Sequence, residues 1–320
     1  MTMSVRFAPS PTGRFHLGNL RTAWISHEAA RVLGMPWALR FEDIDRPRVV
    51  DGALEAQLDD MAALGLVPDA WTLQSRRSSR HFTLFEAARG QGRIYPCLCS
   101  RAEVQQALRG IASAPHGAEA IYSGHCRNVG PQEFTRALAA WRGTSIAWRF
   151  RADDATGRDD FIVARSDVPA GALRAEGPLV TPGTFVPAYT WACAIDDRDG
   201  GHAMLVRAWD LHGALAQQQA VWSWLEASGC LDPAIAEAPR PAVFHTALVT
   251  ADDGARLEKR TRGVTWPELC GRGWSAREVL QRFAAMFDVA QLQGFTSARV
   301  WGEPAASLSL KQLGFSTLQM

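Results

Sequence analysis

The residues best placed to do chemistry stand near the start of the chain. Residues 5–21 read Val-Arg-Phe-Ala-Pro-Ser-Pro-Thr-Gly-Arg-Phe-His-Leu-Gly-Asn-Leu-Arg. Val5 to Ala8 predicts a short strand. Two prolines, a serine, a threonine and Gly13 predict a stiff, sharply bent turn, because proline fixes φ and glycine permits positive φ. Leu17, Leu20, Trp24 and Ile25 then fall on one helical face. A strand, a tight polar turn and a helix place helix N-terminal N–H groups where a phosphate can bind. His16 stands at the predicted start of that helix, and Gly18 leaves room for a flat ligand. No Gly-Lys-Ser/Thr and no Gly-x-Gly-x-x-Gly follows, so neither the Walker loop nor the dinucleotide fingerprint is present.

Three further groups of reactive side chains follow. Trp37 to Glu42 predicts a buried second strand ending in Glu42-Asp43-Ile44-Asp45. Acids at the carboxyl end of a strand in an open α/β sheet point into a ligand crevice. Cys97 and Cys99 are one residue apart, and Tyr122-Ser123-Gly124-His125-Cys126 lies some twenty residues on. Three thiols with one nitrogen or oxygen ligand can complete a tetrahedral zinc site, and general ligand chemistry favours His125 as the fourth. Four protein ligands would make that site structural. Finally, the strand Phe244–Val249 precedes an acidic Gly turn and the basic stretch Arg256-Leu257-Glu258-Lys259-Arg260. Lysine occurs only at 259 and 311.

The elements that must carry these groups are legible from periodicity. Helices are predicted over 51–66, 81–90, 131–141 and 276–287, and strands over 144–151 and 160–165. Ala188–Asp197 is read as a buried strand ending in two acids. Gln74 to Arg80 reads as a polar connection with three arginines. At 320 residues, with 47% hydrophobic and 21% charged side chains, the chain fits a soluble globular protein. A net charge of +1 gives no global nucleic-acid signature, so an RNA partner would need a local patch. Six cysteines without a secretory signal do not suggest a disulfide scaffold. With no membrane-spanning apolar run, the expectation is a cytoplasmic protein free of membrane contacts, and a monomer.

The stretch Arg-Phe-Ala-Pro-Ser-Pro-Thr-Gly-x-x-His-x-Gly-Asn-x-Arg-Thr resembles the first signature of glutamyl-type class I aminoacyl-tRNA synthetases, with His16-Leu17-Gly18-Asn19 as the local form of the HIGH tetrapeptide. Leu-Arg-Phe-Glu-Asp-Ile-Asp, Tyr189 with Ile195-Asp196-Asp197, and Val206-Arg207 through Asp210-Leu211 resemble further family motifs. The resemblance spans most of residues 4–262. It implies a Rossmann-like α/β catalytic core over residues 1–95 and 188–262. An inserted α+β zinc-bearing module would occupy 96–187 and a short helical segment 263–320. It implies that Arg6, Ala8, Ser10, Glu42, Tyr189 and Arg207 bind L-glutamate, Glu42 facing its α-amino group and Arg207 its side-chain carboxylate. His16, Gly18, Asn19, Arg256 and Lys259 would bind ATP with its Mg2+, His16 and Lys259 acting in catalysis. Ala208 departs from the family's Gly, and Ala214-Leu215-Ala216 replaces its Ser-Thr-Pro. Arg256 and Glu258 replace the first Lys and the Ser of the Lys-Met-Ser-Lys-Ser signature.

The sixty residues after Arg260 are too few for a large helical anticodon-binding domain. In this the chain resembles the shortened glutamyl-queuosine tRNA(Asp) synthetases, whose zinc set maps onto Cys97, Cys99, Tyr122 and Cys126. That resemblance implies adenylation of glutamate and its transfer to the queuosine base in the anticodon loop of tRNA(Asp). Charging of a tRNA 3′ end and a non-catalytic binding paralogue are the competing readings.

Overall fold

The structure is a computed structural model. It describes residues 3–100, 102–104, 122–141, 143–152, 160–167, 173–174, 177–178, 180–255, 257, 264–293 and 297–315. In chain order the first nine strands are β1 (Val5–Phe7), β2 (Trp37–Phe41), β3 (Ala70–Leu73), β4 (Ile94–Cys97), β5 (Ser145–Phe150), β6 (Phe161–Asp167), β7 (Leu173–Arg174), β8 (Gly177–Pro178) and β9 (Phe185–Pro187). They are followed by β10 (Met204–Ala208), β11 (Ala242–Thr246), β12 (Leu248–Thr250), β13 (Val300–Gly302) and β14 (Ser307–Ser309). The helices are α1 (Leu17–Leu33), α2 (Ala53–Ala63), α3 (Ser78–Gly90), α4 (Pro131–Ala140), α5 (Tyr189–Asp199), α6 (Leu215–Ala227), α7 (Pro233–Glu237), α8 (Trp266–Gly271) and α9 (Ala276–Ala285).

The chain divides into two compact units. The first comprises Met1–Arg76, Asp196–Leu215 and Leu231–Met320. Its sheet has the order β13-β11-β10-β1-β2-β3, with every pair parallel. Parallel strands covered on both faces read as continuous apolar runs, and β1 and β11 are buried along their whole length. Helix α1 starts at His16, as its sequence predicts, and ends at Gly34, whose φ of 62° is the left-handed conformation that glycine adopts without a Cβ penalty. Its buried face carries Leu17, Leu20, Trp24 and Ile25. Trp24 packs against Phe283 and Phe287, which joins α9 and the turn after it to the core.

The second unit comprises Arg77–Ile195 and Ala216–Cys230. It holds an antiparallel sheet of order β4-β5-β6-β9, the small hairpin β7–β8, and helices α3 and α4. Strands β5 and β6 match the alternating segments of the sequence. Phe150, Trp191 and Trp224 pack together in this unit's core.

Two sequence expectations are corrected. Ala188–Asp197 is not a strand: Tyr189–Asp199 is helix α5. Residues 190–197 are all buried, so the run had no period to read. A buried apolar run is settled by length, and this one exceeds the usual strand and contains helix-favouring alanines. The C-terminal region is likewise not simply helical. Beyond α8 and α9 it supplies β13 to the main sheet and β14 as a parallel partner of β12. No described helix is long and apolar enough to cross a membrane.

Candidate functional site

The first turn is pinned from within. Gln57, fully buried on α2, donates from Nε2 to the carbonyls of Ser10 (3.1 Å) and Gly13 (2.6 Å). Gly13 has φ 122°, a conformation that favours glycine. The imidazole of His16 then caps α1: its Nδ1 accepts from the amides of Gly18 (3.1 Å) and Asn19 (3.4 Å). An accepting Nδ1 leaves the ring proton on Nε2. The amide of Leu17 donates to Val264 O at 2.8 Å, and that of Leu20 to His16 O. The first helical amides are therefore engaged within the chain. His16 therefore stands at the N-terminal end of α1, where the helix dipole favours an anion. Ala8 is half-buried and Ser10 exposed at the turn. Asn19 Oδ1 is buried with no hydrogen-bond partner among the described residues.

Gly18 is held close to this ring. A Cβ at Gly18 would lie 3.0 Å from His16 Cε1, 3.1 Å from Nδ1 and 3.3 Å from Val249 Cβ. Gly18→Ala is therefore expected to displace the His16 ring and to destabilise the first unit by about 1–3 kcal/mol, as overpacking of a close contact does. Thermal unfolding of the variant checks this.

At the strands β1, β2 and β10 the sheet carries three buried arginines: Arg6, Arg40 and Arg207. Asp197, fully buried in the last turns of α5, joins two of them. It accepts from Arg6 Nη2 at 2.6 Å and from Arg40 Nη1 at 2.5 Å. Arg40 Nη2 also reaches Glu42 Oε1 at 3.0 Å, and Gln74 Nε2 donates to Asp196 Oδ2 at 2.9 Å. Burial alone would raise the Asp197 carboxyl, but Arg40, Arg6 and Arg207 outweigh it and hold the group well below the usual carboxylate range. Burial and the Arg6 charge push His202 down to about 3, and its Nδ1 is 2.8 Å from Ser4 Oγ. Arg207 pairs in register with His245 of β11. Burial, then Arg207, pushes that imidazole down to about 4, so it is neutral at pH 7.

The structure thus brings Arg6, Glu42 and Arg207 into one unit, on or directly after the parallel strands β1, β2 and β10. The sequence did not assign Arg40, Asp197 or Gln57 to the site. The signal for Arg40 was a charged residue inside a strand otherwise read as buried. Tyr189 opens α5 in the second unit and is half-buried. Arg256, Glu258 and Lys259 lie outside the described residues.

In the second unit the sulfurs of Cys97, Cys99 and Cys126 lie within 4.8 Å of one another, with Cys99 Sγ and Cys126 Sγ 3.6 Å apart. Zinc–sulfur bonds of about 2.3 Å at tetrahedral angles put sulfurs roughly 3.8 Å apart, so the spacing fits that metal. Tyr122 Oη lies 3.6 Å from Cys97 Sγ and accepts from the Cys126 amide at 2.7 Å. Exposed His125 is not part of this group. Contacts from the Cys126 and Cys99 thiols, aided by Arg149, push the Cys97 thiol down and favour its anionic form. Arg149 also stacks its guanidinium 3.6 Å from the centre of the Tyr122 ring. Asp160 accepts from Tyr95 Oη (2.6 Å), from the Ala152 amide (2.8 Å) and from Arg127, fixing the wall behind the cluster.

Residues 2–285 match the family model for the catalytic domain of class I tRNA synthetases (E and Q). A glutamyl-Q tRNA(Asp) synthetase of Nocardia farcinica (strain IFM 10152) is 37% identical over 280 residues, 86% of this chain and 81% of that protein. One of Thiobacillus denitrificans (strain ATCC 25259 / T1) is 35% identical over 268 residues, covering 82% and 79%. The crystal structure of glutamate-tRNA synthetase from Elizabethkingia anophelis shares the fold, with a TM-score of 0.65 at 20% identity over 99% of this chain and 70% of that one. The parallel sheet with its His16-capped helix is accordingly a synthetase catalytic core, and the chain belongs to the class I tRNA synthetases of the E and Q type, among the glutamyl-Q tRNA(Asp) synthetases, and is a ligase.

Proposed function

We propose that the enzyme activates L-glutamate with ATP as glutamyl-adenylate and passes the glutamyl group to queuosine in the anticodon loop of tRNA(Asp). The observation that carries this reading is the buried Arg6–Arg40–Arg207 cluster with Glu42 beside it, in a chain whose close relatives are named for that acceptor. Guanidiniums suit carboxylates because their forked donors match two oxygens. In this reading Arg207 takes the side-chain carboxylate and Glu42 the α-ammonium, with Arg6, Ala8 and Ser10 completing this unit's part of the pocket.

The α-carboxylate of glutamate is ionised at pH 7 and attacks the α-phosphorus of ATP without a general base, and pyrophosphate leaves. The protein aligns two anions and stabilises developing charge. His16 does so at the dipole end of α1, with Gly18 and Asn19 alongside. Arg256 and Lys259 are the proposed contribution of the basic loop. Mg2+ entering with ATP would neutralise phosphate charge. A hydroxyl of queuosine then attacks the acyl carbon, loses its proton, and AMP departs. Cys97, Cys99, Cys126 and the Tyr122 phenol are the proposed ligands of one structural zinc ion.

The test is glutamate-dependent ATP–pyrophosphate exchange, followed by nuclease digestion of tRNA carrying labelled glutamate. Label on the queuosine nucleoside supports the proposal, whereas label on the terminal adenosine assigns 3′-end charging. Absence of exchange with any amino acid, with or without tRNA, would identify a binding paralogue. Arg207→Gln is expected to raise the KM for glutamate roughly 10- to 150-fold, since hydrogen bonds to charged groups contribute about 1.5–3 kcal/mol. The KM for ATP should hold within about two-fold.

A further inference from the structure

We propose that the C-terminal segment from Val300 to Lys311 sets the ATP side of the site, with Glu303 as a positioning residue. The proposal rests on the adenylation reading above. The segment lies beyond the residues matched by the family model, which end at 285.

Glu303 is buried, and its carboxylate makes three contacts. Oε2 accepts from Arg21 Nη1 at 2.6 Å and from the Ala247 amide at 2.7 Å, and Oε1 accepts from Arg21 Nη2 at 2.5 Å. Its own amide donates to His245 O at 3.0 Å. Gly302 permits this approach, because a Cβ there would lie 2.5 Å from the same carbonyl. Arg21 is on α1, the helix that His16 caps. Ala247 separates β11 from β12. One carboxylate therefore ties the ATP-facing helix to the strand that leads into the basic loop.

The rest of the segment continues the tie. Leu248 N donates to Ala306 O at 2.9 Å, β14 pairs with β12, and Leu310 N donates to Thr250 O at 2.9 Å. Lys311 N donates to Asp252 Oδ1 at 2.7 Å. Residues 245–252 are thus bonded along one side by residues 303–311. On the other side they meet α1: Thr246 Oγ1 is 2.8 Å from Thr22 Oγ1, and Val249 faces Gly18. A displacement of this strand therefore changes the spacing between Val249 and Gly18, the residue whose amide the His16 ring caps.

A buried ion pair is a poor device for stability, since an apolar pair of similar volume serves as well. A bidentate Arg–carboxylate pair does fix orientation. Glu303 reaches no reacting atom and acts through Arg21 and the Ala247 amide.

The experiment uses the full chain with Glu303→Gln and, as a second variant in case the first does not fold, Arg21→Lys. Calorimetric binding of ATP and of glutamate is measured separately, together with hydrogen exchange of the peptide spanning 244–252. The expected result is ATP affinity weakened about ten-fold or more, glutamate affinity within two-fold, and faster exchange at Ala247 and Leu248. If both variants fold and bind ATP like wild type, with only thermal stability lowered, Glu303 is structural and the proposal is overturned while the adenylation reading stands. If wild type itself binds no ATP, the adenylation reading falls, and the proposal with it.

Discussion

Asp197→Ala is expected to destabilise the first unit by about 3–5 kcal/mol, the usual cost of removing one partner from a buried ion pair. The size follows from what remains. Asp197 is fully buried and is shared by two guanidiniums that are themselves almost wholly buried. Without it Arg6 and Arg40 keep their charges, because guanidinium does not deprotonate in proteins, and the Glu42 and Asp196 carboxylates that remain beside Arg40 do not reach Arg6 in its place. Calorimetry should register a fall in Tm of roughly 6–20 °C for a domain of this size. Asp197→Asn keeps the shape and one acceptor, so it should also destabilise, but by less than Asp197→Ala. A fall under about 1 kcal/mol in Asp197→Ala would mean that water or Asp196 compensates and that the cluster is not preassembled.

The same cluster sets a pH dependence. Asp197 has a depressed folded pKa, so its contribution is complete above the unfolded value near 4 and is lost only as pH falls through the folded value, well below that. His202 has the opposite charge type. With a folded pKa of about 3 against about 6.5 unfolded, the unfolded chain binds the extra proton between those values. Stability therefore declines as pH drops below about 6.5, approaching a slope of about 1.4 kcal/mol per pH unit from this one group.

The parts of the site that were legible in the sequence are those set by local rules. Proline, glycine and the change of period from strand to helix located β1, the turn and the start of α1 to within a residue. Spacing and ligand chemistry brought Cys97, Cys99 and Cys126 together. What stayed hidden is non-local. Asp197 could not be paired with Arg6 and Arg40 because those residues are 191 and 157 positions away. Strands β13 and β14, three residues each, exist through pairing with β11 and β12 and have no local pattern of their own. Glu303 carries no local signal in the sequence and is buried against Arg21 of α1. The satisfied amides at the start of α1 were also unreadable, since the expected free donors are taken by the His16 ring and by Val264 from the other side of the basic loop.

Cys97→Ser is expected to abolish stoichiometric zinc and to lower the stability of the second unit by on the order of 3 kcal/mol. Structural zinc binds with an apparent 10–16 kcal/mol in peptides that fold only with the metal, and a unit with a buried core of its own loses a fraction of that when the ion goes. Elemental analysis should find one zinc per chain in the wild type, and chelation should reproduce the Tm fall of the variant. Tyr122→Phe separates the two candidates for the fourth position. Tyr122 Oη is placed against Cys97 Sγ and receives the Cys126 amide, whereas exposed His125 lies outside the sulfur cluster. Loss of the phenol oxygen should therefore weaken zinc binding by about 100-fold or more, and His125→Ala should leave it within a few-fold. A wild-type chain without zinc, or one whose Tm ignores a chelator, would show the thiols to be core residues. In the proposed site three thiolates and a phenolate would carry more negative charge than one zinc ion cancels, and Arg149 stands against the Tyr122 ring and beside Cys97, where a compensating positive charge would be needed.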